Sequence, residues 1–211
     1  MNKELSAPLG SQAALATAPV GRKSSLLRAA RTIGIVLAGT ALVAACAHVS
    51  LPLYFTPVPL SMAPFAVLLL GLLLNPRLAA ATLGTYLAEG AMGLPVFAPL
   101  PLATGGAGNL GLAHLAGPTG GYLLAYPLAA ALIAFLVRRT DRGFAPAAFS
   151  AAAGSLVILF CGGLWLAALT HASAQSVFTL AILPFLPGDA LKVAAAAGLA
   201  SGWVRLRRCA A

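Results

Sequence analysis

The chain reads as an all-α integral membrane protein with six transmembrane helices, both termini cytoplasmic and long ordered outer loops. Composition gives the first reason: 60% of the 211 residues are hydrophobic and only 8% are charged, against roughly 25% charged in a soluble domain. The second is where the basic residues fall. Twelve of the thirteen, namely Lys3, Arg22, Lys23, Arg28, Arg31, Arg77, Arg138, Arg139, Arg142, Arg205, Arg207 and Arg208, lie on one side once six apolar stretches cross a bilayer. That is the positive-inside pattern. The third is the exception, Lys192, which lies within the last apolar stretch. The net charge of +9 therefore sets orientation and meets anionic lipid headgroups. It forms no basic, aromatic-interleaved surface of the kind that holds nucleic acid.

Residues 1–27 are rich in Ala, Ser, Pro and Gly without periodicity, which predicts a flexible cytoplasmic tail, followed by a membrane domain over 28–208. The first span is expected over 32–50. It carries small residues at four-residue spacing, Gly34 with Ala38 and Ala41 with Ala45, a face another helix can approach closely. Ordinary packing within an Ala-rich chain is the alternative. The run Val43-Ala44-Ala45-Cys46 also resembles a lipoprotein cleavage box, but the apolar run continues past it to Leu53.

Pro52, Pro57 and Pro59 then exclude a continuous helix and predict an extended outer segment. A short second span is expected over 60–74, a tight inner turn at Asn75-Pro76-Arg77, and a third span over 78–93. Residues 94–118 are rich in Gly and Pro yet apolar, which predicts an ordered outer loop. The fourth span is expected over 120–137, with Arg138, Arg139 and Arg142 marking its inner end. The fifth runs over 146–169, a third outer connection over 170–187, and the sixth span over 188–204.

Cys46, Cys161 and Cys209 are scattered and read as small apolar fillers. His48, His114 and His171 fall near the outer side without metal-ligand spacing, so each is expected to be exposed or interfacial and no metal site is expected. No Walker loop, H-E-x-x-H or G-x-S-x-G is present. The chain therefore has no catalytic residues to assign and cannot hydrolyse ATP itself. Gly105-Gly106-Ala107-Gly108 lacks the Lys that phosphate loops use.

Polar chemistry concentrates in Glu89, Asp189 and Lys192. Asp189 and Lys192 stand three residues apart, on one helical face. An ionised group at a bilayer centre costs roughly 2.5–3.5 kcal/mol, so such groups mark either a structural pair or a polar ligand site near the outer face.

Four outer segments carry a family resemblance. They are Thr56-Pro57-Val58-Pro59; Tyr86-Leu87-Ala88-Glu89-Gly90 with Gly93-Leu94-Pro95-Val96-Phe97; Gly117-Pro118-Thr119-Gly120-Gly121-Tyr122; and Pro184-Phe185-Leu186-Pro187-Gly188-Asp189 with Lys192. Together they resemble the signature segments of the BioY family, the biotin-binding subunits of energy-coupling-factor vitamin transporters. The resemblance covers residues about 30–205. It implies a six-helix subunit in the bacterial cytoplasmic membrane that captures biotin on the outer side and binds no cofactor. It also implies a membrane coupling subunit and two ATPase subunits as partners, which would use ATP on its behalf. The first-span face of Gly34, Ala38, Ala41 and Ala45 would suit docking to the coupling subunit.

The implied binding residues are Asp189, Lys192, Glu89, Tyr122, Phe97, Val58, Ser61 and Asn109. An Asp carboxylate can accept the ureido N–H bonds of biotin, and a Lys ammonium can donate to the ureido carbonyl or to the tail carboxylate. Tyr122 offers a flat face and a hydroxyl, while Phe97 and Val58 can close over the ring. One departure stands out. The family commonly has Gln where this chain has Ala63, after a Thr held here by Ser61. Any contact made by that Gln is lost here or replaced through Glu89 or Asn109. Two other readings compete: an assembly protein in which Asp189 and Lys192 lock helices together, and a self-sufficient ion-coupled carrier with Glu89 as a proton site.

Overall fold

The computed structural model describes residues 20–51, 53, 58–99 and 111–209, with side chains for all of these except 20–24, 174, 180 and 181. The sequence-implied contacts of Thr56, Pro57 and Asn109 lie outside the described residues, as does the tail before Val20. Helices dominate: α1 Val20–His48, α2 Ala63–Leu73, α3 Pro76–Ala91, α4 Leu112–Ala116, α5 Gly120–Val137, α6 Phe144–Thr170, α7 Ala174–Val177 and α8 Leu186–Cys209. Among the described residues, four stretches are long and apolar enough to cross a membrane: Ser25–His48, Gly120–Val137, Phe144–Thr170 and Leu183–Cys209.

Contacts divide the chain into two units, Met1–Gly34 and Ile35–Ala211. In the first, the described residues are the opening turns of α1, exposed from Ser25 to Gly34, with Thr32 Oγ1 donating to the Arg28 carbonyl at 3.0 Å. The helix therefore starts before residue 28, earlier than the sequence reading placed the end of the tail. No proline falls between Val20 and Leu51, and Leu, Arg and Ala in this stretch all favour helix.

Within the second unit α5 is the central element. It packs against α2, α3 and α6, and α8 closes over α2 and α6. The packing inverts the soluble pattern. Small residues face inward: Ala125, Ala129, Ala130 and Ala134 on α5, Ala147 and Ala151 on α6, Ala196, Ala197 and Ala200 on α8. Large ones face outward, among them Leu124, Leu128, Phe135, Phe149, Leu156 and Phe160. Lipid tails are as apolar as Leu, so helices associate in a bilayer by close van der Waals contact, which small residues permit. Ile133 shows how close: a Cβ on Gly71 would sit 2.9 Å from the Ile133 Cβ, and one on Gly154 would strike its Cδ1.

The α2–α3 hairpin is short. Eleven and sixteen residues rise about 17 and 24 Å at 1.5 Å each, less than the ~30 Å of a hydrocarbon core. Its turn is built as the sequence requires: the Asn75 side chain accepts from the Leu78 N–H at 2.8 Å and Pro76 opens α3. The end of α1 leads into β1 Ser50–Leu51, which pairs antiparallel with β2 Leu60–Ser61. This clasp closes the proline-rich segment at its base.

The third outer connection is more helical than expected. After α7 comes a π-helical turn, Phe178–Ile182, then a 3-10 turn, Leu183–Phe185, running directly into α8. Pro184 and Pro187 do not break the run because each falls in the first turn of its element, where the missing N–H has no helical acceptor. At the opposite end Arg208 Nη2 donates to the Asp141 carbonyl at 3.0 Å, fastening the end of α8 to the α5–α6 turn.

Candidate functional site

Every element end near the clasp contributes to one cavity. It encloses about 590 Å³ of atom-free space, its open mouth included. Val58, Pro59 and Ser61 come from the clasp, Ala63 and Pro64 from the start of α2, Tyr86 from α3 and His114 from α4. Thr119, Tyr122 and Tyr126 follow on α5, Ile158 and Leu159 on α6, and Phe185, Asp189 and Lys192 come from the entry to α8. The wall is mostly apolar with a few placed polar groups.

The polar centre is a buried triad. Lys192 Nζ donates to Asp189 Oδ1 at 3.1 Å, and Ser155 Oγ donates to Asp189 Oδ2 at 2.8 Å. Asp189 and Lys192 are each only 7% exposed. The i to i+3 spacing aligns the ion pair on one face of α8, and Asp189 sits in the first turn, where the helix dipole favours a negative charge. Ser155 reaches across from α6. Each carboxylate oxygen keeps lone-pair capacity for a ligand donor, and Lys192 keeps ammonium protons for an acceptor. A buried pair with spare hydrogen-bonding capacity suits a small molecule that carries both donors and acceptors.

Glycines place the tyrosines. A Cβ on Gly162 would run into the Tyr122 ring, so α6 leaves a slot that the ring fills. A Cβ on Gly121 would run into Trp165, and Trp165 Nε1 donates to the Gly117 carbonyl at 2.9 Å. The segment Gly117–Tyr122 is thereby pinned against α6. Tyr86 stacks on Tyr126 with ring centroids 6.5 Å apart, and its hydroxyl donates to the Val96 carbonyl at 3.0 Å.

Of the residues singled out in the sequence, Asp189, Lys192, Tyr122, Val58 and Ser61 line this cavity. Phe97 and Glu89 are not among the lining residues. Phe97 packs edge-on to Tyr86 at 5.4 Å and against His114 at 4.9 Å, and its ring occupies the space a side chain at Gly90 would need. It shapes the wall from behind. Glu89 is half-buried on α3, and its backbone carbonyl accepts from the Leu94 N–H at 3.1 Å. His114 corrects an expectation. It is 3% exposed and faces the cavity, because α4 packs against α3 and α5 and stacks the imidazole on Phe97. His48 and His171 are exposed as expected. Ser155 and Tyr126 carry no sequence signal of their own, since long-range packing brings them in, whereas Tyr86 and Thr119 stand in the motif segments without being singled out there.

The family model described as BioY family matches residues 16–208. The chain belongs to the BioY family. Among its BioY relatives, the probable biotin transporter of Pyrococcus horikoshii is 37% identical over 167 residues, covering 79% of this chain and 92% of that one. The biotin transporter of Thermotoga maritima is 35% identical over 161 residues, covering 76% and 88%. A BioY-type fold has also been solved: the 2.1 Å crystal structure of the S-component for biotin from an ECF-type ABC transporter superimposes with a TM-score of 0.74. It is 26% identical, covering 86% of this chain and 93% of that one. These relatives are transporters rather than enzymes.

Proposed function

We propose that this chain is the substrate-binding subunit of an ECF-type transporter and captures biotin for uptake. The observation that carries the reading is the buried Ser155–Asp189–Lys192 triad inside a tyrosine-lined cavity, in a chain whose relatives are biotin transporters. Biotin offers two ureido N–H donors, a ureido carbonyl, an apolar thiophane and an apolar chain ending in a carboxylate. Asp189 accepts from the ureido N–H groups, Lys192 donates to an oxygen of the ligand, and Tyr122, Val58 and Ser61 complete the wall. Phe97 supports the wall from behind through Tyr86 and His114, and Asn109, a contact implied by the sequence, lies outside the described residues. Saturable biotin binding by the purified chain in detergent tests this reading.

The subunit works in the cytoplasmic membrane with six spans, the short α2–α3 hairpin completing the four long helices, and with both termini inside. The tether from Arg208 to Asp141 supports this arrangement, since it joins two of the basic clusters at one end. So do the cation–π contacts of Arg139 on Phe135 and Arg207 on Trp203, which suit a membrane interface. Energy comes from partners, a membrane coupling subunit and two ATPase subunits. Ala38, Ala41 and Ala45 are exposed on α1 and present a small-residue face for the coupling subunit. Gly34, exposed in the first unit, follows the same sequence spacing.

A further inference from the structure

Thr119 occupies the N-cap position of α5 and does not cap it. A capping Thr takes an extended backbone and turns its oxygen to the N–H groups one turn on. Thr119 instead has φ −87° and ψ −7°, a helical conformation, and its side chain makes no capping hydrogen bond. The residue is 8% exposed, and its Oγ1 is the one buried side-chain polar atom without a hydrogen-bond partner among the described residues. Leaving such a hydroxyl unpaired costs stability. Thr119 also lines the cavity.

Its position along α5 narrows what it meets. Thr119, Tyr122 and Tyr126 follow at i, i+3 and i+7 and line the cavity as one stripe. The stripe descends about 10 Å from the helix N-terminus. Tyr122 and Tyr126 are the lower two members of the stripe. Thr119 stands a turn above them, where the dipole of α5 favours an anion.

We infer that Thr119, at the N-terminus of α5, forms the subsite for the carboxylate end of the ligand. The inference rests on the proposed biotin reading and deepens it. The ureido ring lies beside Asp189 and Lys192, the valeryl chain runs along Tyr122, and the Thr119 hydroxyl donates to the tail carboxylate. This assigns Lys192 to the ureido carbonyl rather than to the tail.

The test measures biotin and biotin amide binding by the purified full chain and its Thr119→Val and Thr119→Ser variants, with the thermal midpoint of each ligand-free protein. Val keeps the shape and removes the hydroxyl. Thr119→Val should lose roughly tenfold or more in biotin affinity, while its ligand-free midpoint is no lower than the parent's. Loss of an unpaired hydroxyl predicts that pairing of effects, and a merely structural Thr does not. Thr119→Ser should stay close to the parent. The parent should bind biotin amide more weakly than biotin, and Thr119→Val should largely erase that preference.

Biotin affinity in Thr119→Val within about threefold of the parent overturns the inference. Equal binding of biotin and biotin amide by the parent overturns it as well. If Thr119→Val fails to fold, the parent's preference between the two ligands and the behaviour of Thr119→Ser decide. No biotin binding by a folded parent contradicts the proposed function itself, a result distinct from loss of the carboxylate preference alone.

Discussion

Ser155 Oγ donates to Asp189 Oδ2 at 2.8 Å, from the middle of α6 to the first turn of α8. This bond and the Lys192 contact hold the carboxylate from both sides. A carboxylate fixed in this way meets a ligand without first losing rotamer freedom, and preorganisation of this kind contributes to affinity. Ser155→Ala leaves Lys192 in place and frees one oxygen. Hydrogen bonds to charged groups contribute about 1.5–3 kcal/mol, so biotin affinity should fall roughly tenfold or more. Calorimetric titration checks it, and a folded variant with parental affinity removes Ser155 from the site.

Gly162 makes a steric prediction. Its missing side chain is the slot that the Tyr122 ring fills. Gly162→Ala must push that ring toward the cavity or force α5 and α6 apart. Overpacking costs about 1–3 kcal/mol, so the thermal midpoint should drop and biotin binding weaken together. Gly198, which has open space around its Cβ position, is the control. Gly198→Ala should leave binding unchanged.

How much of this was legible in the sequence differs by element. The fourth span was read as 120–137 and α5 is Gly120–Val137, because apolar residues run unbroken to Arg138. Asp189 and Lys192 stood out because charge is rare in such spans, and their pairing followed from helical spacing. Ser155 lies 34 residues from its partner in an Ala-rich helix, where a serine has no distinguishing pattern. Thr119 sat in a quoted motif, yet only the backbone angles show that it forgoes capping. Phe97 was read as a ligand contact from its place in a segment that carries the family resemblance. The structure uses it as a wedge over Gly90. The second span was seen as short from its length, whereas the 3-10 turn before α8 was hidden by Pro184.

Orientation can be read from a native thiol. Cys209 is exposed at the end of α8, next to Arg207 and Arg208. With the termini inside, a membrane-impermeant maleimide should leave Cys209 unlabelled in intact cells and label it after permeabilisation. Leu94, exposed just after α3 and expected on the side opposite the termini, gives the complementary probe. Leu94→Cys in a Cys209→Ser background should label in intact cells. Labelling of Cys209 in intact cells contradicts the orientation.

Partner docking separates from ligand capture. Ala41 is exposed on α1 and is not among the residues lining the cavity. Ala41→Leu should leave biotin affinity of the purified subunit within about twofold of the parent and reduce uptake in the assembled transporter by roughly tenfold, because close helix approach needs a small residue there. Uptake equal to the parent's places the docking face elsewhere.

The central claim is that the buried triad holds biotin. Its most direct test is equilibrium binding of radiolabelled biotin to the purified chain in detergent, beside Asp189→Asn and Lys192→Ala, with helicity checked by circular dichroism. Truncating one partner of a buried charge pair typically costs about 2–5 kcal/mol. The account predicts saturable binding by the parent and a loss of roughly thirtyfold or more in each folded variant. A folded parent that does not bind biotin, or folded variants that bind it as the parent does, would contradict it.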